Sequence, residues 1–429
     1  MKEKIAILGG GPMGLGVAYR LIKDGYKPVI YEADDRLGGM TATFDFSGLI
    51  IERFYHFHCI SDYAFLDILK ELKIENKMNW TETKMGYWYD NKLQPWGNPQ
   101  ALLSFKGLSF VAKFRYALHA FLSTKRKDWK KLDKINALDW IMTWVGKEAY
   151  EILWKKLFDY KFYHFSKDIS AAWIWSRIRR VGNSRYNIFR EKLGYLEGGS
   201  NTLLNSLENF IKSNGGEIHL SSPVEKVQFN GDNVQGLIIN NNLIKFNKVI
   251  STVPLPYVPR IFPDLPHSVL SKYKSVNNIA VVCVIVKLNK KVTNNFWLNV
   301  VDPEMDIPGI VEYSNLRPMD NHLVYVPFYM PGEHEKFKDD DSIFIEKVKK
   351  YLFKINKSLS NENIIDIRAS RYRHAQPICE TNFLSKLPPI ESQIKGLWIA
   401  DTSYYYPEDR GISESIEFGS KMAKMATKY

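Results

Sequence analysis

The chain has 429 residues, of which 45% are hydrophobic and 25% charged, a composition typical of a folded globular protein with room for two domains. Its net charge of +12 favours anionic partners such as phosphates, nucleotide sugars, anionic lipids or nucleic acid, the alternative being a proteome rich in lysine, asparagine and isoleucine. Its three cysteines are widely spaced and odd in number, which argues against a disulfide framework or a cysteine metal site and predicts a reducing, cytoplasmic setting.

A dinucleotide-binding pattern occupies residues 4–40, which read KIAILGGGPMGLGVAYRLIKDGYKPVIYEADDRLGGM. A buried strand is followed by Gly9, Gly11 and Gly14 in G-x-G-x-x-G register, then by a helix and a second strand that ends at Glu32. Glycines let a pyrophosphate approach the backbone, and the helix N-terminus favours its negative charge. Glu32 is placed to accept hydrogen bonds from a ribose, so the segment predicts a dinucleotide site.

The residues that follow Glu32 favour FAD. Arg36, Leu37, Gly38 and Gly39 resemble the start of the FAD-binding domain in the superfamily of amine oxidases, protoporphyrinogen oxidases and phytoene desaturases. In that superfamily the double glycine lies on the flavin side of FAD, and a basic residue often follows it. This chain has methionine there, which leaves the phosphate contact to Arg36 or to the backbone.

Two histidines and several aromatic residues are concentrated in IERFYHFHCISD, residues 51–62. As a strand, this segment would place His56 and His58 on one face and Tyr55 and Phe57 on the other. No further ligand at metal spacing lies nearby, so no metal site is predicted. The segment also resembles UDP-galactopyranose mutase, in which the residue matching His56 lies beside the flavin. We therefore predict that His56 borders the flavin and hydrogen-bonds to N5, the alternative being a core histidine.

Residues 105–122 have apolar residues at helical spacing with basic residues between them, and KRKDWKK follows. A basic amphipathic helix followed by lysines and tryptophan suits a membrane surface. Peripheral contact of residues 105–131 with the inner face of a membrane is therefore one expectation. The alternative is a helix that packs its apolar face on the rest of its domain.

Two tryptophan-rich helical patterns follow, and the second ends in an arginine cluster at residues 177–185. Arginine forks suit planar anions, so the cluster could clamp a diphosphate or a carboxylate. The candidate substrate contacts are Arg177, Arg185, Tyr195 and Tyr405.

Residues 195–254 predict a helix from Ser200 or Asn201 and then several strands, at 218–220, 224–229, 234–239 and within 248–254. The turn Asn-Gly-Asp-Asn at residues 230–233 predicts a hairpin. In the superfamily, the residue matching Val224 contacts the adenine through its backbone.

The C-terminal stretch LWIADTSYYYPEDRGISESIEFGSKMA, residues 397–423, predicts a strand ending at Asp401, an aromatic loop and a helix that begins near residues 411–413. It resembles the closing motif of the superfamily, in which an acid at the position of Asp401 binds the ribityl chain and the helix start meets the flavin. The predicted cofactor contacts are Gly9, Gly11, Pro12, Met13, Gly14, Glu32, Ala33, Arg36, Gly38, Gly39, Met40, Val224, Asp401, Gly411, Ile412 and Ser413.

The predicted fold class is α/β. A Rossmann-type FAD-binding domain, with a parallel sheet and an inserted β-hairpin, would comprise residues 1–75, 195–255 and 390–429. A discontinuous α+β substrate domain would comprise residues 76–194 and 256–389, with a helical portion at about 100–190. Strands at 279–288 and 323–328 would form the floor of the substrate cavity.

The resemblance implies an FAD-dependent oxidoreductase that transfers a hydride from an organic substrate to flavin N5, in cell-surface polysaccharide, isoprenoid or tetrapyrrole metabolism. No second G-x-G-x-x-G follows a strand, so the electron acceptor would be oxygen, a quinone or another protein. One alternative is an isomerase of nucleotide sugars like UDP-galactopyranose mutase. Another is a flavoprotein active only with a partner or at a membrane. The expected partner is a small molecule, anionic or nucleotide-linked, and not a nucleic acid.

Overall fold

The computed structural model of the chain describes residues 3–187 and 190–428. Its strands are β1 (Lys4–Leu8), β2 (Lys27–Tyr31), β3 (Thr43–Phe46), β4 (Leu49–Glu52), β5 (Met78–Thr83), β6 (Met85–Tyr89), β7 (Lys92–Trp96), β8 (Arg185–Asn187), β9 (Arg190–Leu196), β10 (Glu217–His219), β11 (Lys226–Asn230), β12 (Asn233–Ile239), β13 (Asn242–Lys245), β14 (Val249–Ser251), β15 (Asn278–Leu288), β16 (Trp297–Val300), β17 (Gly309–Glu312), β18 (His322–Pro331), β19 (Ile364–Pro377) and β20 (Leu397–Ile399). Its α-helices are α1 (Pro12–Lys23), α2 (Tyr63–Glu71), α3 (Pro99–Ser104), α4 (Phe110–Lys125), α5 (Ala137–Leu153), α6 (Lys155–Leu157), α7 (Ala171–Asn183), α8 (Ser200–Ser213), α9 (Val258–Ile261), α10 (His267–Lys274), α11 (Asp341–Ile355), α12 (Phe383–Lys386) and α13 (Ile412–Ala426).

A five-stranded parallel sheet in the order β10-β2-β1-β14-β20 forms one half of the molecule. Its strands come from the three segments predicted for the FAD-binding domain, and the α/β fold class is confirmed. Helices α1 and α13 pack closely because glycine lies at their crossing. A Cβ on Gly16 would lie 3.0 Å from the Ile416 Cα, and one on Gly419 would lie 2.4 Å from the Met13 oxygen. The N-terminal halves of the two helices are thereby held together beside the sheet.

The predicted hairpin is confirmed. Asn230 of β11 pairs with Asn233 of β12, and Gly231 in the turn has a φ of 58°. A residue with positive φ is what such a two-residue turn requires, and glycine meets that requirement without strain. A third strand, β13, extends the hairpin into a small antiparallel sheet.

The other half of the molecule is built on a seven-stranded mixed sheet in the order β19-β15-β18-β17-β16-β6-β7. The strands predicted at 279–288 and 323–328 are confirmed as β15 and β18, which are antiparallel neighbours. Both are buried along nearly their whole length. Burial on both faces explains why their sequences are almost continuously apolar and do not alternate.

One local prediction is confirmed only in part, and another is wrong. The helix predicted over 105–122 begins later than expected: α3 ends at Ser104, and α4 begins at Phe110, where the Ser109 hydroxyl accepts the Ala112 N–H at 3.3 Å. This N-cap stabilises a new helix start. The strand alternation predicted for residues 54–59 is absent, since β4 ends at Glu52 and the chain continues without strand structure until an isolated bridge at His58.

None of the described helices combines the length and the hydrophobicity needed to cross a bilayer.

Candidate active site

A cavity of about 720 Å³ extends from the carboxyl ends of β1 and β2 to the seven-stranded sheet. One end is lined by the glycine loop after β1 and by residues that follow β2. The other end is lined by side chains of β15, β18 and β19. The irregular segment 53–57 and the loop before α13 lie between the two ends. The cavity therefore connects the two halves of the molecule.

The glycine loop leaves open space at the N-terminus of α1. Gly9 has a φ of 100°, and a Cβ on Gly14 would lie 2.0 Å from the Gly9 carbonyl oxygen. These two glycines are therefore required by the turn itself. A Cβ on Gly11, in contrast, would meet no protein atom within 4 Å. The space beside Gly11 is where a phosphate can approach the free N–H groups of the helix.

Glu32 lines the cavity at the end of β2. One carboxylate oxygen accepts the Gly10 N–H at 2.6 Å, and the other accepts the Asp34 N–H at 2.8 Å. These bonds fix the carboxylate in place. Because each carboxylate oxygen has two lone pairs, both oxygens can also accept ribose hydroxyls.

Asp401 and the start of α13 line the middle of the cavity. The Asp401 carboxylate is buried and accepts the Leu255 N–H at 2.9 Å and the Ser403 N–H at 2.8 Å. Burial raises the pKa of Asp401. Gly411 is the N-cap of the 15-residue helix α13, and Gly411 and Ile412 both border the cavity. The helix start therefore presents backbone N–H groups towards an electron-rich ligand.

The two histidines of the 51–62 segment lie in different surroundings. His56 lines the cavity, and its Nδ1 is buried without a hydrogen-bond partner among the described residues. Burial, followed by His58 and Arg410, lowers the pKa of His56 to about 3, so this imidazole is neutral at physiological pH. His58 instead stacks on Phe65 at 3.6 Å between ring centroids, and its Nδ1 lies 3.8 Å from the Asp62 carboxylate. Its contacts are those of a core residue.

An aromatic wall closes the far end of the cavity. It is formed by residues of three neighbouring strands, most of them at alternate positions, which bring their side chains to one face of the sheet. Val281 is paired with Tyr329 on one side and with Tyr372 on the other. The remaining members from these strands are Cys283, Pro327, His374 and Ala375, and Tyr55 and Phe57 face the same space. The sequence predicted that β15 and β18 form the floor of the substrate cavity, but it did not indicate this aromatic wall.

Burial dominates the chemistry of the wall. It raises the pKa of Tyr55 well above its usual value and also raises those of Tyr329 and Tyr372. It raises the pKa of the Cys283 thiol as well. The wall therefore presents neutral phenols and a neutral thiol at physiological pH.

The predicted arginine clamp is largely engaged with protein carboxylates. Arg177 is partly buried and donates to Asp409 at 2.6 Å, and Arg180 lies 3.3 Å from Asp62. Of this cluster only Arg180 lines the cavity. Arg410, from the loop before α13, also lines it and donates to the Ala375 carbonyl.

Only one of the four candidate substrate residues lines the cavity. It is Tyr405, whose hydroxyl donates to the Ser415 Oγ at 3.0 Å. Arg177 is bound to Asp409, Arg185 donates to the Gly97 carbonyl, and Tyr195 lies on β9 opposite Asn79. The last three are therefore placed in the protein framework around the cavity and not on its surface.

Comparison with known proteins identifies the family. Residues 14–372 match the family described as flavin containing amine oxidoreductase. The chain belongs to this family. It is 23% identical over 323 residues to 15-cis-phytoene desaturase of Glycine max, covering 68% of this chain and 55% of that protein. It is 25% identical over 287 residues to amine oxidase A of Sus scrofa, covering 61% of this chain and 52% of that protein. The chain thus spans about half the length of these curated relatives.

Solved structures of other proteins share the fold over almost the whole chain. A putative protoporphyrinogen oxidase from Exiguobacterium sp. 255-15 superposes with a TM-score of 0.76 at 16% identity, covering 99% of this chain and 98% of the other. Reduced UDP-galactopyranose mutase superposes with a TM-score of 0.75 at 16% identity, covering 100% and 97%. At such low identity these likenesses establish the fold and not the reaction.

Family membership implies FAD as the cofactor, and the cavity residues fit it. The open space beside Gly11 admits a pyrophosphate, and Glu32 is placed to accept hydrogen bonds from a ribose. The unpartnered His56 Nδ1 offers a further polar contact. Twelve of the sixteen predicted cofactor residues line the cavity; the four that do not are Gly14, Arg36, Gly38 and Ser413.

Two of these four residues support the site without lining the cavity. Gly14 allows the turn of the glycine loop, and the Ser413 Oγ accepts the Phe65 N–H at 3.3 Å. Arg36 lies outside the cavity, where it pairs with Asp35 at 2.6 Å and donates to the Thr43 carbonyl at 3.1 Å. Arg53, which sequence analysis missed, lines the cavity and pairs with Asp34 at 2.8 Å. Arg53 is therefore better placed than Arg36 for a phosphate.

Within the described residues, no three side chains of histidine, cysteine, aspartate or glutamate converge as metal ligands would.

Replacing His56 with alanine is expected to shift the midpoint potential of the bound flavin by about 10–30 mV, the equivalent of one ordinary hydrogen bond in a two-electron couple. Redox titration of the purified holoprotein measures this shift. His58→Ala is the matched control: because His58 packs on Phe65, its loss should lower the melting temperature and leave the potential in place. An unchanged flavin potential and spectrum in His56→Ala would show that His56 is a core residue and does not contact the flavin.

Proposed function

We propose that the protein is an FAD-dependent oxidoreductase that takes a hydride from a C–H bond of an organic small molecule, at a carbon next to nitrogen or in a reduced ring or chain. FAD, when bound, supplies N5 as the hydride acceptor. The observation that carries the proposal is the cavity that joins the glycine loop to the aromatic wall. It offers a dinucleotide site and a substrate pocket in one continuous space.

The chain's own contribution is to bind and orient. Tyr55, Tyr329 and Tyr372 offer aromatic faces and neutral hydroxyls, which suit an apolar or weakly polar substrate. Neutral His56 can donate or accept one hydrogen bond without bringing a charge into the site. The aromatic faces of the wall also limit the access of water to the reacting carbon. Rate enhancement would therefore come mainly from positioning.

The named relatives support the substrate class but do not fix it. The curated relatives include phytoene desaturases and amine oxidases, so polyenes and amines are the first candidates. Oxygen, a quinone or another protein would then accept the electrons. All three cysteines are free and buried, which is compatible with the proposed cytoplasmic setting.

A second candidate function is the isomerisation of a nucleotide sugar. Arg180 and Arg410 both line the cavity, and guanidinium groups bind diphosphates through paired hydrogen bonds. The likeness to UDP-galactopyranose mutase is compatible with this activity. Against it, Arg180 already lies 3.3 Å from Asp62, which offsets part of its positive charge.

Anaerobic mixing of the purified holoprotein with amines, porphyrinogens, polyenes and nucleotide sugars separates the two candidates. An oxidoreductase substrate should bleach the visible flavin band without added reductant, and oxygen or a quinone should restore it. An isomerase should leave the oxidised band unchanged and convert the nucleotide sugar only after dithionite reduction. A purified protein that binds no FAD even after incubation with it would contradict both functions.

A further inference from the structure

Helix α4 carries its apolar residues on the outside of the molecule. Phe110 is 75% exposed, Phe114 is 61% exposed and Phe121 is 59% exposed. These positions follow one another at helical spacing and so form a continuous stripe. Val111, Leu118 and Leu122 extend the stripe and are also exposed. Exposed apolar patches of this kind mark interaction surfaces.

The inner face of α4 explains this orientation. The residues that it buries are Ala112, His119 and Ser123, which are small or polar. The Ser123 carbonyl accepts a hydrogen bond from the Trp175 Nε1 of α7 at 2.8 Å, and Arg115 donates to the Trp144 carbonyl at 2.9 Å. Small residues and directed hydrogen bonds hold α4 against α5 and α7. The amphipathic helix is therefore anchored through its polar side and leaves its apolar side uncovered.

Positive charge surrounds this stripe. Residues 101–135 contain nine lysines and arginines and only two aspartates. Lys125, Lys127, Lys130 and Lys131 are exposed at the C-terminal end of α4, and Lys106 is exposed before it. Trp129, partly buried, lies among them. An apolar stripe bordered by lysines matches the boundary between the headgroups and acyl chains of an anionic bilayer.

The same charges disfavour the other simple occupant, a second copy of the chain. In a twofold dimer through α4, identical surfaces face each other. The basic residues around one stripe would then oppose those around the other, and like charges across an interface are repulsive. Anionic lipid headgroups instead complement these residues.

We propose that α4 and the lysine-rich segment after it dock the protein on an anionic lipid surface, with Phe110, Phe114 and Phe121 inserted below the headgroups. Helix α4 packs on α7, and Arg180 of α7 lines the cavity. Docking therefore places the membrane one helix away from the cavity. This inference concerns where the protein resides and is independent of which reaction it performs.

Co-sedimentation of the holoprotein with phosphatidylglycerol vesicles and with phosphatidylcholine vesicles tests the proposal. We expect binding to phosphatidylglycerol vesicles that weakens with added salt, because the lysines act through screened charge. The triple variant Phe110→Ser, Phe114→Ser, Phe121→Ser should reduce partitioning by on the order of tenfold for each phenylalanine inserted. The second triple variant, Lys127→Glu, Lys130→Glu, Lys131→Glu, should also reduce partitioning. Its loss should be larger at low salt than at high salt, because salt screens the charges.

A matched control removes the same number of exposed apolar residues elsewhere. Ile343, Ile365 and Leu384 are 45%, 46% and 46% exposed, and their replacement by serine should leave vesicle binding unchanged. Flavin content and circular dichroism show that each variant is folded.

Three outcomes would overturn the proposal. The first is no binding of the wild type to either vesicle. The second is an equal loss of binding in the phenylalanine variant and in the control variant that replaces the two isoleucines and the leucine. The third is a wild-type dimer in sedimentation velocity that the phenylalanine variant dissociates. The last outcome would assign the stripe to a second copy of the chain. None of these readouts depends on substrate turnover, so failure of the proposed reaction does not affect them.

Discussion

Replacing Gly11 with valine should give a folded protein that no longer retains FAD. Gly11 is the N-cap of α1, with a φ of −72° and a ψ of 175°, a conformation that valine adopts readily. A Cβ at this position meets no protein atom within 4 Å, so the new side chain enters the cavity at a point where the protein leaves open space. The space that it fills is the one through which a pyrophosphate would approach the helix N-terminus. We expect FAD affinity to fall at least about a hundredfold, or about 2.7 kcal/mol.

Titration of the apoprotein with FAD, followed by quenching of flavin fluorescence, measures this loss. Gly14→Val is the contrasting variant, because a Cβ there would lie 2.0 Å from the Gly9 carbonyl oxygen. It should lower the melting temperature of the apoprotein, whereas Gly11→Val should not. A Gly11→Val protein that purifies with a full complement of FAD would show that the cofactor does not approach the chain at this point.

Much of the cofactor half could be predicted because the features that define it depend on residues close together in the sequence. Contacts within one turn of the chain require glycine at positions 9 and 14. Glu32 follows at the end of the next strand and lines the cavity. The C-terminal segment could be placed against this loop only through its resemblance to a superfamily, since no local rule brings Asp401 beside β14. The contact between α1 and α13 is not visible in either segment alone.

The aromatic wall could not be predicted, because strand order creates it. Tyr329 and Tyr372 lie on either side of Val281 because β18 and β19 pair with the two edges of β15. A strand's periodicity shows that its side chains alternate, but not which face meets a cavity. Segment 53–57 adds a second reason: because it is not a strand, Tyr55, His56 and Phe57 all line the cavity, whereas alternation would have separated them.

Helix α4 shows a related limit. Its apolar spacing predicted a helix, and residues 110–125 are helical. The spacing alone did not tell whether the stripe packs inward or faces outward, because both satisfy the same periodicity. Only the hydrogen bonds of the opposite face, such as that from Trp175 to the Ser123 carbonyl, decide it.

The arginine cluster was ambiguous for the same reason. An arginine's sequence position does not reveal whether its partner is a ligand or a distant carboxylate. Arg177 lies on α7, its guanidinium stacks on Trp173, and it donates to Asp409 in the loop before α13. Asp409 also accepts the Arg410 N–H at 2.8 Å. The pair therefore joins the helical part of the molecule to the loop that leads into the cofactor half.

Asp409→Leu and Arg177→Met should each lower the free energy of unfolding by about 1–3 kcal/mol, because each leaves one partly buried charge without its partner. The double variant should recover most of this loss, since removing both charges also removes the cost of burying them. Urea denaturation followed by tryptophan fluorescence measures the cycle. Asp67→Asn, which breaks the exposed pair with Lys70, is the control and should change stability little. If Arg177→Met were no less stable than this control yet lost affinity for nucleotide sugars, Arg177 would be a ligand-binding residue and the isomerase would become the better proposal.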